Sequence, residues 1–170
     1  FIVNQPLIVP SITSPATTCS TDLNRFTVGN AAGDTYKWTL NGAVVATGNN
    51  YDIAAGSLAA GTYTLGVYGE SGSCSSTLVT QTLNITDPST LTINTNLVGD
   101  AVCSGDPFTI TVSDTQSSNT TYTLTSAAGA QTKNSSTGQV TFTLSLIAAG
   151  DLTVVSIPAG GCGSTAVSYT

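Results

Sequence analysis

The sequence predicts an all-β chain made of two β-sandwich domains in tandem, and three observations carry that prediction. A set of residues recurs in order across the two halves. The composition is rich in β-branched Thr but only 7% charged, against about a quarter in ordinary soluble domains. Short alternating stretches are separated by turn residues, and no window carries a helical period. With 40% apolar residues and few charges, the chain also lacks the high net charge and low hydrophobicity of disorder.

The duplication organises everything else. Cys19-Ser-Thr-Asp22 leading to Phe26-Thr-Val28 is answered by Cys103-Ser-Gly-Asp106 leading to Phe108-Thr-Ile110. Thr35-Tyr36-Lys37-Trp38 is answered by Thr121-Tyr122-Thr123-Leu124. Ala60-Gly61-Thr-Tyr63-Thr-Leu65 is matched to Ala149-Gly150-Asp-Leu152-Thr-Val154, and Cys74-Ser-Ser-Thr77 to Cys162-Gly-Ser-Thr165.

Alternation and turn residues place strands near 7–13, 25–29, 35–40, 43–47, 62–68 and 77–86. The second half gives strands near 90–95, 108–113, 120–126, 139–146, 151–157 and 164–170. Asn41-Gly42 is a two-residue hairpin signal, because both positions need positive φ. The stretch Ile53–Ala60 is expected to make a helical turn at most. Tyr36, Trp38 and Leu40 share one face of their strand, which predicts a core Trp; a Trp stacked on a sugar would need exposed polar neighbours on a loop. The expected core anchors are Phe26, Tyr36, Trp38, Tyr63, Phe108 and Tyr122.

The expected domains are residues 1–86 and 87–170, parted at Asp87-Pro88-Ser89, since Pro cannot continue a central ladder. So short a junction suits a stiff rod. The ends carry a further expectation. Joined tail to head, Tyr169-Thr170 followed by Phe1-Ile2-Val3-Asn4-Gln5-Pro6 places a Pro as far beyond Cys162 as Pro88 lies beyond Cys74. Residues 1–5 are therefore expected to finish the last strand of a preceding copy, making the chain one period of a longer array. The other reading makes Phe1–Val3 the first strand of the first domain. With no Met, the chain is expected to be a processed product or an excerpt.

The four Cys allow three connectivities, and only Cys19–Cys74 with Cys103–Cys162 treats both copies alike. Each such bridge would contribute about 4 kcal/mol by loop closure. A metal site finds no CxxC spacing and no His.

Leu58-Ala-Ala-Gly61-Thr-Tyr63-Thr-Leu65 resembles the corner of immunoglobulin-like sandwiches, where a Tyr bonds back to the preceding turn. Together with the Trp38 strand, Asn41-Gly42 and the paired Cys, the chain resembles the immunoglobulin-like and PKD-like repeats of large bacterial cell-surface proteins. These include the adhesins and appendages of gliding and predatory bacteria. The resemblance implies two tandem immunoglobulin-like sandwiches of about seven short antiparallel strands each, an extracellular location and a structural role.

Several function classes are disfavoured. The net charge is −6, and three cations, Arg25, Lys37 and Lys133, make no basic footprint for nucleic acid. No apolar run reaches the roughly 18 residues of a membrane helix. Without His or a plausible Lys arrangement, a Ser or Thr nucleophile has no activating base. No carboxylate pair suggests glycosidase chemistry either, so no enzyme is expected. Asp22, Asp34, Asp52, Asp100, Asp106, Asp114 and Asp151 read as turn formers rather than calcium ligands, with Asp87 and Asp100 the one conceivable junction pair. No cofactor is expected. Asn84-Ile-Thr86, Asn119-Thr-Thr121 and Asn134-Ser-Ser136 match the N-glycosylation pattern, a weak signal in so Thr-rich a chain.

The expected function is a structural spacer in a long extracellular filament or adhesin stalk. Its partners are neighbouring copies head to tail and, side by side, bundled strands. The rivals are a carbohydrate-binding module of a secreted enzyme and a pilin-like subunit polymerising by strand addition.

Overall fold

The computed structural model describes residues 7–15, 18–30, 35–97, 101–115, 119–146, 150–159 and 161–170. The chain divides into two compact units, Phe1–Asp87 and Pro88–Thr170. Unit 1 contains β1 (Ser11–Thr13), β2 (Asn24–Gly29), β3 (Thr35–Leu40), β4 (Ala43–Thr47), β5 (Asn50–Ile53), β6 (Gly61–Ser71), β7 (Cys74–Ser75) and β8 (Val79–Ile85). One sheet runs β1-β2-β5; the other runs β4-β3-β6, with β7 and β8 both paired to β6. All these pairings are antiparallel.

Unit 2 repeats the plan with β9 (Leu91–Thr95), β10 (Pro107–Asp114), β11 (Thr120–Ser126), β12 (Gly129–Ser135), β13 (Gln139–Ser145), β14 (Leu152–Pro158) and β15 (Val167–Tyr169). Its sheets are β9-β10-β13 and β12-β11-β14-β15. Each unit is thus an immunoglobulin-like sandwich of a three-stranded and a larger sheet, with the fourth strand in the sheet of the third.

Each core is filled by the inward residues of both sheets, as period-two alternation requires. In unit 1, Phe26 and Ile53 meet Tyr36, Trp38, Leu65, Val67, Leu83 and Ile85. In unit 2, Phe108, Ile110, Val112, Val140, Phe142 and Leu144 meet Tyr122, Leu124, Leu152 and Val154. Phe26, Tyr36, Trp38, Phe108 and Tyr122 are all buried, whereas Tyr63 is half-buried and packs against the unit 1 core. Tyr36 and Trp38 face Gly69 and Val67 across the ladder; Tyr122 and Leu124 face Ser156 and Val154 at the matching places.

Asn41 and Gly42 take φ of 50° and 84°, which the hairpin turn demands. The Asn41 side chain also accepts a hydrogen bond from the Thr64 amide at 2.9 Å, joining the turn to β6.

Three sequence expectations need correction. Residues 50–53 form a strand that was not expected, because Ile53 is needed in the core opposite Asn24; the turn expected within Ile53–Ala60 lies beyond it, where the Ser57 amide bonds the Ala54 carbonyl at 3.1 Å. Strand β12 was not expected, since Gly-Ala-Gln-Thr-Lys-Asn-Ser holds no apolar alternation; it is an exposed edge held by its ladder to β11. Leu152 matches Leu65 rather than Tyr63. Leu152 faces Tyr169 as Leu65 faces Gln81, and Ser156 lines up with Gly69, so the Ala-Gly pairs of the two halves are two residues out of step.

Candidate functional site

The residues singled out for function collect at the ends of the units. Each unit has a leading end, where the chain comes in, and a trailing end, where it leaves. The trailing end of unit 1 is built around Cys19, which pairs with Thr86 in an isolated parallel bridge. The Ser20 amide donates to the Thr86 carbonyl at 2.9 Å, and the Thr86 amide to Thr18 at 3.0 Å. The Ser20 hydroxyl donates to the Asp87 carboxylate at 2.5 Å. Buried Asn24 sends its amide to the carbonyls of Cys19 and Asp22, at 2.8 and 3.0 Å. Cys19 is buried and held by its backbone.

The leading end of unit 2 carries Cys162, also buried, on the loop after β14. Ser164 fixes that loop: its amide donates to the Ser156 carbonyl and its hydroxyl accepts from the Ser156 amide, both at 2.8 Å. The Ser156 hydroxyl donates to Asp114 at 2.9 Å, which leaves Ser89 to donate to Ser156 at 2.9 Å. This Ser89–Ser156–Asp114 relay is no nucleophile, because both hydroxyls are buried.

The other two ends use the same devices. At the leading end of unit 1, Cys74 follows the turn after β6. Ser76, two residues on, exchanges the equivalent pair of bonds with Gly69, both at 2.9 Å. At the trailing end of unit 2, the Asp106 amide bonds the Cys103 carbonyl at 3.0 Å, as the Asp22 amide bonds that of Cys19 at 3.2 Å. The Gly105 amide donates to Leu146 at 2.8 Å, which keeps exposed Cys103 beside the start of β10.

This geometry corrects the cysteine pairing. Cys19 and Cys162 each take part in a disulfide and neither Cys74 nor Cys103 does, so neither Cys19–Cys74 nor Cys103–Cys162 exists. The reason is strand length. Cys19 lies beside Thr86, next to the Gly61–Ile85 rung, and Cys74 faces Ser71 at the far end of β6. At roughly 3.3 Å per residue that strand holds them about 30 Å apart, whereas a disulfide needs Cα atoms within about 7 Å. In unit 2, β10 separates them in the same way. Cys103 precedes Pro107, and Cys162 sits by Ser156 at the Asp114 end.

Of the expected junction residues, Phe1, Ile2, Val3 and Pro6 lie outside the described residues, as do Asp34 and Asp100. Asp87 accepts from Ser20, and Pro88 is half-buried. Tyr169 packs on the unit 2 core with its hydroxyl 3.4 Å from that of Thr95; Thr170 is exposed.

The Tyr63 hydroxyl donates to the Ala59 carbonyl at 3.0 Å, closing the corner that precedes β6. Tyr63→Phe is expected to cost unit 1 about 0.5–1.5 kcal/mol, the net worth of one hydrogen bond, as a shift of the urea midpoint at unchanged slope.

The cations all have partners. Arg25 forks onto Asp52 at 2.8 and 2.7 Å, and Lys37 meets Glu70 at 2.7 Å. Lys133 donates to the Thr141 carbonyl at 2.6 Å and lies 5.5 Å above the Phe142 ring. Among the described residues no three His, Cys, Asp or Glu gather as metal ligands. An open pocket of about 560 Å³ in unit 2 is lined by Asn119, Thr120, Thr121, Asn134, Ile157, Pro158 and Ala159, without a charged or aromatic group.

Hydrogen bonding from Arg25 lowers the Asp52 pKa, and burial raises those of Tyr51 and Tyr122, with the Asp114 charge adding at Tyr122. A depressed carboxylate loses its stabilising contribution as pH falls through its folded pKa, below about 4. A raised tyrosine loses its contribution as pH rises past about 10. With no His, the thermal midpoint is expected to stay level from about pH 5 to 9. A change of several degrees between pH 6 and 8 would contradict this.

No known protein family and no curated protein matches the chain. Among solved structures it aligns with the fibronectin(III)-like modules of CbhA from Clostridium thermocellum at 10% identity, over 93% of this chain and 91% of that one, with a TM-score of 0.49. It also aligns with a two-domain fibronectin type-III segment of chicken tenascin at 15% identity, over 95% and 98% of the two chains, with a TM-score of 0.36. The strand order and registers within each unit define its sandwich independently of these likenesses.

Proposed function

We propose that this chain is a structural repeat unit of a long extracellular filament or adhesin stalk, of the kind carried by bacterial cell-surface repeat proteins, and that it is not an enzyme. The observation that carries the reading is the repetition of one end-building plan. Both trailing ends hold a cysteine whose carbonyl accepts from the backbone amide of the Asp three residues on, and both leading ends hold one on the same Ser-locked loop. A disulfide fits an oxidising compartment. Among the described residues no helix is long and apolar enough to cross a membrane.

Head-to-tail continuation is the arrangement in which every trailing end of this plan is followed by a leading end of this plan.

Side-by-side bundling has its own support. Edge strand β4, Ala-Val-Val-Ala-Thr, exposes Val44 and Val45 and carries no charge or Pro to blunt pairing. The carbohydrate-binding reading lacks its platform, because among the described residues the exposed large apolar side chains are all aliphatic.

The test is the mass of the native parent polypeptide under reducing, denaturing conditions. The reading expects many multiples of this chain. A mass near that of a single copy would overturn the tandem array and leave polymerisation by strand addition.

A further inference from the structure

We propose that Cys103 of one copy forms a disulfide with Cys74 of a second copy of this chain, stapling the trailing end of unit 2 to the leading end of the next unit 1. The inference rests on the head-to-tail reading above and names the covalent chemistry of that contact.

The argument begins with equivalence. Cys103 occupies the Cys19 position: each carbonyl accepts from the amide of the Asp three residues on, at 3.0 and 3.2 Å. Cys74 occupies the Cys162 position: the Ser two residues on exchanges two bonds with Gly69 in one unit and with Ser156 in the other. The second observation is the bonding state. Cys19, a trailing-end cysteine, and Cys162, a leading-end cysteine, are both disulfide-bonded. Each kind of position therefore presents its sulfur in a way that a disulfide can use.

Cys103 and Cys74 are the remaining members of the two kinds, and both carry thiols. Neither can bond the cysteine at the opposite end of its own unit, because β6 or β10 lies between. Cys103 is exposed and Cys74 half-buried, so a second chain can reach them. Continuing the repeat by one copy brings a leading-end cysteine to follow a trailing-end one, which is the order Cys103 then Cys74.

Bond formation joins the two Sγ atoms and releases two protons and two electrons. Glutathione disulfide, or a comparable low-molecular-weight disulfide, accepts the electrons and leaves as two thiols.

The test uses two single variants of the whole chain, Cys103→Ser and Cys74→Ser, each leaving one of the two thiols. In a glutathione redox buffer, each alone is expected to stay largely monomeric on non-reducing gels. An equimolar mixture is expected to give a 1:1 dimer, removed by reductant. The unmodified chain should give a ladder of oligomers. With one variant labelled with ¹⁵N, peptic mapping should show the Cys103 peptide joined to the Cys74 peptide with one partner of each label. Homodimers of either variant in place of the mixed dimer, or a mixture that stays monomeric, would overturn the proposal. So would Cys103–Cys74 peptides of unmixed label alone, with no mixed-label form, when ¹⁴N and ¹⁵N unmodified chains are oxidised together. The parent mass under reducing conditions reads the tandem array separately, so failure of the staple and failure of the array are distinguishable.

Discussion

Replacing Trp38 by alanine is expected to destabilise unit 1 by about 3–5 kcal/mol, the range for truncating a large buried aromatic. Trp38 is fully buried at the centre of β3, facing Val67 across the ladder and tilted against Tyr51 at a centroid distance of 6.1 Å. Its indole Nε1 donates to the Gly48 carbonyl at 2.9 Å, which fixes the turn between β4 and β5. Alanine would open a cavity between the sheets and leave that carbonyl without its donor. A domain's whole stability is only about 5–15 kcal/mol, so the change should carry unit 1 much of the way to unfolding at 37 °C. Trp38→Phe keeps most of the volume and should recover most of the loss. As the only Trp, residue 38 also lets the intrinsic fluorescence of the unmodified protein follow unit 1 alone. Circular dichroism in urea reads the variants. A loss below about 1 kcal/mol would mean that the sheets close over the gap, contrary to the packing described.

Legibility in the sequence followed the physics of each feature. Period-two patterns with large side chains were plain to read. Tyr36-Lys37-Trp38 alternates inward, outward, inward, and the structure buries Tyr36 and Trp38 while Lys37 reaches Glu70. Asn41-Gly42 was legible because so few residues accept positive φ in succession. Strands β5 and β12 were not. The first has one buried residue, Ile53, and the second has none, so both are held by backbone ladders that leave no hydrophobic signature.

The cysteine pairing failed for a different reason. Equal treatment of the two halves favours a bond within each, but sequence spacing does not show whether the sulfurs of one half can meet. The deciding quantity is the length of the strands between the sulfurs, available only once the ladders are assembled. The same gap explains why the end-building hydrogen bonds went unseen. Ser76 and Ser164 look like ordinary loop residues until Gly69 and Ser156 are placed opposite them.

Phe142→Ala is expected to cost unit 2 about 3–5 kcal/mol, the counterpart of the Trp38 change. The repeat leaves Phe142 without a match in unit 1, because the counterpart strand β5 carries a single buried residue, Ile53. Yet Val140, Phe142 and Leu144 alternate inward along β13, with Phe142 fully buried opposite Ile110. Lys133 on β12 sits 5.5 Å over its ring while donating to Thr141, so an edge strand without a buried apolar residue is held partly by this aromatic face. Lys133→Ala alone should cost at most about 1 kcal/mol, since the ammonium is exposed. The double variant should cost less than the sum, because the ring contact can be lost only once. Urea unfolding of the four proteins in this cycle gives the coupling directly. Strict additivity would mean that Lys133 gains nothing from the ring and that β12 is held by its ladder to β11 alone.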